Sequence, residues 1–437
     1  MQPTTKQILR LLQRFESRNV TFIDPDGSWP IVWSRANGTS VWDAEGRKYL
    51  DLTAAFGVAA AGHANPRVVR AGCVQMKRLL HAMGDVHPHA LKAALAARLS
   101  ALTFERWSRK QSASTGRRLE GKVIFCNSGF EAVEAALKTA ILVTGRREVI
   151  AFKGAYHGLG YGALNVTHRA HFREPFQRQL AGFGHFLDFP TETTSLTRLE
   201  QRLEDVMGRN AIGAVLVEPI QTRGGIHVPP PGFLPLLRRL CAEMGALLVS
   251  TTIPIRPHRE LVGLRTRRGG SGHHLPRQSA DGRVSLSVCV GNAVLMDRAW
   301  PPSHGEAIHT STFLGHPVGC AMALAQINEI NTRRLPKRAR EIGRLLRNIL
   351  ADLKAPDGFS FRVKGMGLLV GLEITTKSGR PATEKALSLL KGMLREGMIL
   401  LPEGEAANVL AFTPPLTITE KEVKKAGAVL KRLLTLS

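Results

Sequence analysis

CNSGFEAVEAALKTA, from Cys126 to Ala140, is the stretch whose reading decides the fold. The run before it, KVIFC (Lys122 to Cys126), is short and rich in β-branched and aromatic residues, which predicts a buried strand ending at Cys126. Asn127 or Ser128 can then cap a helix, and Gly129 lets a ligand approach the backbone. Ala132, Val133, Ala136, Leu137 and Ala140 recur at helical spacing and give that helix a buried face. Such a helix start gathers free backbone N–H groups at the positive end of the dipole, so it suits an anion such as a phosphate. The alternation continues along the chain: EVIAF (Glu148 to Phe152), AVLV (Ala214 to Val217) and ALLV (Ala246 to Val249) read as further buried strands with helices between them. This order predicts an α/β fold with a mostly parallel, doubly wound sheet, whose ligands gather at the carboxyl ends of the strands.

Three more stretches fall at such strand ends. AFKGAYHGLGYGAL (Ala151 to Leu164) opens a strand into a glycine-rich loop carrying Tyr156 and His157, where an aromatic ring can stack on a flat heterocycle or simply pack beside a turn. AVLVEPIQTRGGIHVPPPGFL (Ala214 to Leu234) ends a strand in Glu218 and Pro219 and then brings Gln221. A carboxylate at a strand tip is poorly placed for packing and well placed for chemistry. HTSTFLGHPVGCAMALA (His309 to Ala325) is a hydroxyl-rich loop before a helix, with Thr312 as a second phosphate candidate. Val41 to Leu52 reads as a hairpin turned at Glu45 and Gly46, and the polar stretch from Arg109 to Glu120 as a surface loop. Past Asn331 the pattern becomes a helix (Lys337 to Leu353), a strand (Phe361 to Ile374), a helix (Thr383 to Glu396), short strands near Ile399 and Val409, and a closing helix from Glu420. The expected organisation is an N-terminal segment, residues 1–60, packing with a small α+β domain, residues 331–437, and a large cofactor-binding domain, residues 61–330.

Taken in this order, the four blocks resemble the class III aminotransferases, pyridoxal-phosphate enzymes of fold type I. The resemblance runs from about residue 20 to the C-terminus and includes YLDLTAAFGVAAAGHANPRV (Tyr49 to Val68), VKGMGLLVGLEI (Val363 to Ile374) and TPPLTITEKEV (Thr413 to Val423). It implies that Ser128 and Gly129 bind the pyridoxal 5'-phosphate phosphate group, that Tyr156 stacks on its ring with His157 beside it, and that Gln221 bonds near the ring phenolate. It further implies that Glu218 shapes the substrate side and that Thr312 reaches the phosphate of a neighbouring subunit, hence a homodimer with the cofactor at the interface. The implied partners are a small amino donor, an amine or amino acid, and a 2-oxo acid acceptor.

Three departures stand out. Phe130 occupies a phosphate-loop position where the family usually has Ser or Thr, and Ala411 replaces an arginine that often grips a substrate α-carboxylate. The third lies after ALLV, where the family runs approximately F-D-E-x-x-T-G and then, further on, K-A-L-x-G-G. Here no lysine occurs between Lys153 and Lys337, so the Schiff-base lysine expected at Gln278 and the ring-nitrogen aspartate expected near Thr251 are both missing. Read from the second base of each codon, His258 to Arg283 permits T-G-(N or S)-W-W-A-C-E-H and then V-P-D-I-I-C-L-G-K-A-L-T-G-G, with a lysine codon where Gln278 stands. Arg256 to Arg283 holds seven arginines against two acids. The segment reads as frameshifted, in a damaged gene or an erroneous read, and the chain as an aminotransferase by descent that does not turn over. The alternatives are a glutamate-1-semialdehyde-type aminomutase and a non-catalytic protein of the same cofactor fold.

Composition excludes other classes. At 437 residues and 43% hydrophobic the chain has room for one large and one small core. No run of eighteen apolar residues occurs, and Ile8, Leu11, Leu12 and Phe15 at helical spacing among Lys6, Arg10 and Arg14 read as a docked amphipathic helix, so no membrane association is expected. Cys73, Cys126, Cys241, Cys289 and Cys320 are far apart and form no C-x-x-C pair, which fits a reducing cytoplasm; neither they nor the His87/His89 and His273/His274 pairs suggest a metal site. The net charge of +25 invites a nucleic-acid partner, but the basic residues are scattered without an aromatic-interleaved stripe, and none is expected.

Overall fold

The structure, a computed structural model, describes residues 3–25, 27–106, 108, 119–252, 272–276 and 285–435. Most of the loop expected from Arg109 to Glu120 lies outside the described residues, as does Gln278. The chain divides into two compact units, one holding the described residues up to Pro66 and from Ile330 onward, the other those from Arg67 to Glu329.

In the first unit, β1 (Trp33–Asn37), β2 (Ser40–Asp43) and β3 (Lys48–Asp51) form an antiparallel ribbon. In the second, β4 (Gly121–Cys126), β5 (Glu148–Phe152), β6 (Gly184–Leu187), β7 (Ile212–Val217), β8 (Leu247–Thr252), β9 (Gly272–Pro276) and β10 (Ser287–Asn292) make a seven-stranded sheet in the order β4-β10-β9-β8-β7-β5-β6. All of its strands are parallel except β10, which runs antiparallel to β4 and β9.

Both faces of this sheet are buried, and the twofold period of a strand shows why the sequence runs are continuously apolar. Val149, Ala151, Ala214, Leu216, Leu247 and Val249 face one way, into a core shared with Ala132, Val133 and Ala136 of the helix Gly129–Thr144. Their neighbours Ile150, Phe152, Val215, Val217 and Leu248 face the other way, onto Leu199 and Leu203 of the helix Leu196–Arg209 and Leu236, Leu237 and Leu240 of the helix Phe233–Met244. The expected α/β, mostly parallel, doubly wound sheet is the architecture found.

The first unit completes itself with β11 (Phe359–Met366), β12 (Leu369–Thr376), β13 (Met398–Ile399), β14 (Leu401–Glu403) and β15 (Val409–Phe412). β13 adds parallel to β3, and the others form an antiparallel sheet in the order β11-β12-β15-β14. The single strand expected from Phe361 to Ile374 is in fact a hairpin. Gly365 (φ +116°) and Gly367 (φ +58°) adopt left-handed backbone and turn the chain between Met366 and Leu369. Among the described residues no helix is long and apolar enough to cross a membrane.

Candidate functional site

The carboxyl ends of β4, β5, β7 and β8 open on one edge of the large sheet. β4 ends at Cys126, and Ser128 caps the helix Gly129–Thr144, its hydroxyl accepting from the Glu131 amide. The Glu131 carboxylate reaches back to accept from the Asn127 amide (2.9 Å) and the Ser128 hydroxyl (3.1 Å), so the turn before the helix is held from both sides. Gly129 is buried at the first helical position. Phe130 follows it, and its side chain lies against the glycine loop: a Cβ placed on Gly158 would come within 2.3 Å of the Phe130 Cβ, and one on Gly160 within 2.5 Å of its ring. Burial, with Glu131 close by, pushes the Cys126 thiol up to about 12, which leaves it protonated and unreactive at neutral pH.

At the end of β5, the loop brings Tyr156 and His157 against the next two strands. The Tyr156 amide donates to the Glu218 carboxylate (3.3 Å), its ring meets Phe172 edge-on at 5.5 Å, and the Arg223 guanidinium lies 5.7 Å from its centroid. Glu218, 7% exposed at the tip of β7, is thereby tied to the loop it faces. Gln221 is buried and donates to the Lys153 carbonyl (2.8 Å). Gly154 and Gly224 leave room for its amide, since a Cβ on either would meet the Gln221 Oε1 at 2.7 and 2.2 Å. His157 is fully buried; its amide donates to the Thr167 hydroxyl, which in turn donates to the Gly158 carbonyl. Its Nδ1 lies 3.3 Å from the Thr251 hydroxyl, itself 2% exposed near the end of β8.

Five of the expected residues, Ser128, Gly129, Tyr156, His157 and Gln221, thus line one edge together with Glu218, and Thr251 joins them through His157. Thr312 is exposed, in a loop tethered to β4 where the Asn127 side-chain amide donates to Ser311 (3.0 Å). Sequence reasoning passed over Arg223, Ser311 and the pairing of His157 with Thr251. An arginine two residues after Gln221 was a visible signal, whereas the other contacts join residues far apart in the chain. Among the described residues no group of three or more His, Cys, Asp or Glu is placed to hold a metal ion.

A family model described as aminotransferase class III matches residues 23–253 and 276–434. An acetylornithine aminotransferase of Methanosarcina acetivorans is 30% identical over 413 residues, 93% of this chain and 92% of its own. A putrescine aminotransferase of Pectobacterium atrosepticum is 31% identical over 422 residues, 92% of this chain and 83% of its own. An aminotransferase structure from Bacillus anthracis shares the fold with a TM-score of 0.83 at 22% identity, covering 100% of both chains. With a sheet of this order and these strand-end loops, the chain belongs to the class III aminotransferases, a family of enzymes that work with pyridoxal phosphate.

The residues present fit that cofactor only in part. A capped helix start, an aromatic side chain and a glutamine beside two glycines stand together at the strand ends, and these are the kinds of group that a flat phosphorylated ring needs. The covalent anchor is missing, because no lysine stands between Lys153 and Lys337, and β8 ends in Ser250, Thr251 and Thr252 without an acid. The chain does not fit the cofactor as its family uses it, and no catalytic step follows from these residues.

Proposed function

We propose that this chain descends from an aminotransferase that moved an amino group from an amine or amino acid to a 2-oxo acid, and that it has lost that activity. The observation that carries the reading is the coexistence of an intact strand-end cradle with a chain that has neither the lysine nor the aspartate. Ser128 and Gly129 would hold a phosphate, Tyr156 would stack on the ring with His157 behind it, Gln221 would meet the ring oxygen, and Glu218 would border the substrate.

A displaced reading frame from about residue 250 accounts for the loss. The family match stops at residue 253 and resumes at 276. Ser250 supports the same reading: by alternation it shares the apolar face of Leu248, is 1% exposed, and its hydroxyl finds no hydrogen-bond partner among the described residues. An orphan of this kind costs about 1–3 kcal/mol, which a native strand would avoid. The domain organisation expected from sequence, a segment 1–60 packing with a small domain 331–437 and a large domain 61–330, belongs to this proposal. So does a homodimer, with Thr312 serving the neighbouring subunit; exposed Met76, Leu79, Leu80, Met83, Val86 and Phe313 support it, as an apolar surface that asks for cover. Four buried free cysteines support residence in a reducing cytoplasm.

Borohydride reduction in the presence of pyridoxal phosphate, followed by peptide mapping, tests the loss. No pyridoxyl-lysine peptide is expected, and a lysine labelled at the cradle would refute the reading.

A further inference from the structure

Three helices of the second unit, Pro66–Arg78, Ala90–Ser100 and Pro317–Thr332, form a groove of about 470 Å³. Val74, 51% exposed, lies in it with Leu91, Ala321 and Leu324, so its floor is apolar. Arg67, Arg70 and Arg78 border the same groove. At 3.6 residues per turn, positions 67, 70, 74 and 78 fall on one face of the first helix, which sets the cations and the apolar floor along a single stripe. Little balances this charge locally. Lys77, Lys92 and Arg98 add to the three arginines on these helices, and Glu329 is their one acid. Arg67 pairs with it at 2.7 Å. Arg70 and Arg78 are exposed and pair with no carboxylate among the described residues.

We propose that this groove binds a single-chain aliphatic carboxylate, its tail over Val74, Leu91 and Leu324 and its head held by Arg70 and Arg78. Charge complementarity selects the anion, because a guanidinium fork meets a carboxylate with two parallel hydrogen bonds. An arginine stem also lies along apolar surface while its head stays in water, so arginines at the rim can grip a head group whose tail covers the floor. Size selects a chain over a peptide helix. A helix is about 10–12 Å across and rises about 5.4 Å per turn, so a groove of 470 Å³ seats roughly one turn of it. The same volume falls within the range of small-molecule sites, about 300–1,000 Å³. None of the groove residues is among those at the strand ends, so this binding is independent of what those residues hold. Exposed Met76, two residues beyond Val74, faces the opposite side of the helix, and the surface offered for a homodimer is therefore not the one that carries the groove.

Dodecanoate, kept below its micellar concentration, is the probe, and dodecanol is the same chain without the charge. Calorimetry on the full-length chain is expected to find one site for dodecanoate, weakening as salt rises, and binding of dodecanol about tenfold weaker. Arg70→Gln combined with Arg78→Gln is expected to weaken dodecanoate about tenfold, and Arg70→Lys combined with Arg78→Lys by less, since an ammonium keeps the charge and loses the fork. Val74→Asp should abolish binding by setting a carboxylate in the floor. Equal affinity for acid and alcohol, no binding by a chain whose circular dichroism shows it folded, or binding that survives loss of both arginines overturns the proposal. So does a change of mass in light scattering with Val74→Asp, which would mean that a second copy covers the groove, and so does binding of an acidic amphipathic peptide in place of dodecanoate. Should Val74→Asp fail to fold, the variants at the two exposed arginines decide.

Discussion

Phe130 stands in the first turn of the helix Gly129–Thr144, with its Cβ against Gly158, its ring against Gly160 and part of its surface in solvent. It fills a place where a hydroxyl could face an anion. Phe130→Thr is expected to strengthen binding of inorganic phosphate by about tenfold, since a hydrogen bond to a charged group contributes roughly 1.5–3 kcal/mol, and to lower the melting temperature through lost packing. Calorimetry showing unchanged affinity would remove phosphate binding from this helix start. A second residue-scale prediction concerns Tyr49, whose buried hydroxyl donates to Asp43 at 2.9 Å. Burial first, then Asp43, raises its pKa from the ordinary 10.0 to about 12. Because the folded value is the raised one, its contribution to stability is fully present below pH 10 and is lost as pH climbs through about 12. The melting-temperature gap between wild type and Tyr49→Phe should therefore shrink across that window; a gap that stays constant would contradict the assignment. Ser128, Tyr156 and Glu218 could be singled out in the sequence because each follows a recognisable strand. The meeting of His157 with Thr251, ninety-four positions apart, could not.

Elements were legible where their pattern was dense. The runs at β4, β5, β7 and β8 are apolar on both faces and bounded by turn residues, so each announces a buried strand. β6, Gly184–Leu187, has too few apolar residues to do so, and it exists because β5 offers it a parallel partner. The hairpin of β11 and β12 hid inside one continuous strand pattern, since only backbone sign at Gly365 and Gly367 turns it. That turn is also packed tightly. A Cβ on Gly343, in the helix Leu335–Ala351, would approach the Gly367 carbonyl oxygen to 1.9 Å. Gly343→Ala is expected to destabilise the protein by about 1–3 kcal/mol through overpacking, read as a lower denaturation midpoint. An unchanged midpoint would mean that helix and hairpin can part without cost.

For the whole molecule, repairing the reading frame is the decisive experiment. Restoring the frame between about residues 250 and 285 should return T-G-x-W-W-A-C-E-H and L-G-K-A-L-T-G-G, with lysine in place of Gln278 and an aspartate near Thr251. Thermal stability, cofactor colour and transaminase activity are expected to come back together. A nucleotide sequence whose shifted reading gives stops, or no lysine codon there, sinks the frameshift proposal. Light scattering should find the chain at about twice its 47.7 kDa mass; a monomer at micromolar concentration would remove the homodimer. By itself the sequence determined the layered α/β fold, because hydrophobic periodicity is a local property that burial on two faces writes directly into each strand. It also determined the missing lysine, which is a matter of counting. Only the tertiary structure decided that β10 runs against its neighbours, that Phe130 closes on the glycine loop, and that Thr251 is paired with His157. Strand direction and contacts between distant residues arise from the packing of the whole sheet, and no local pattern encodes them.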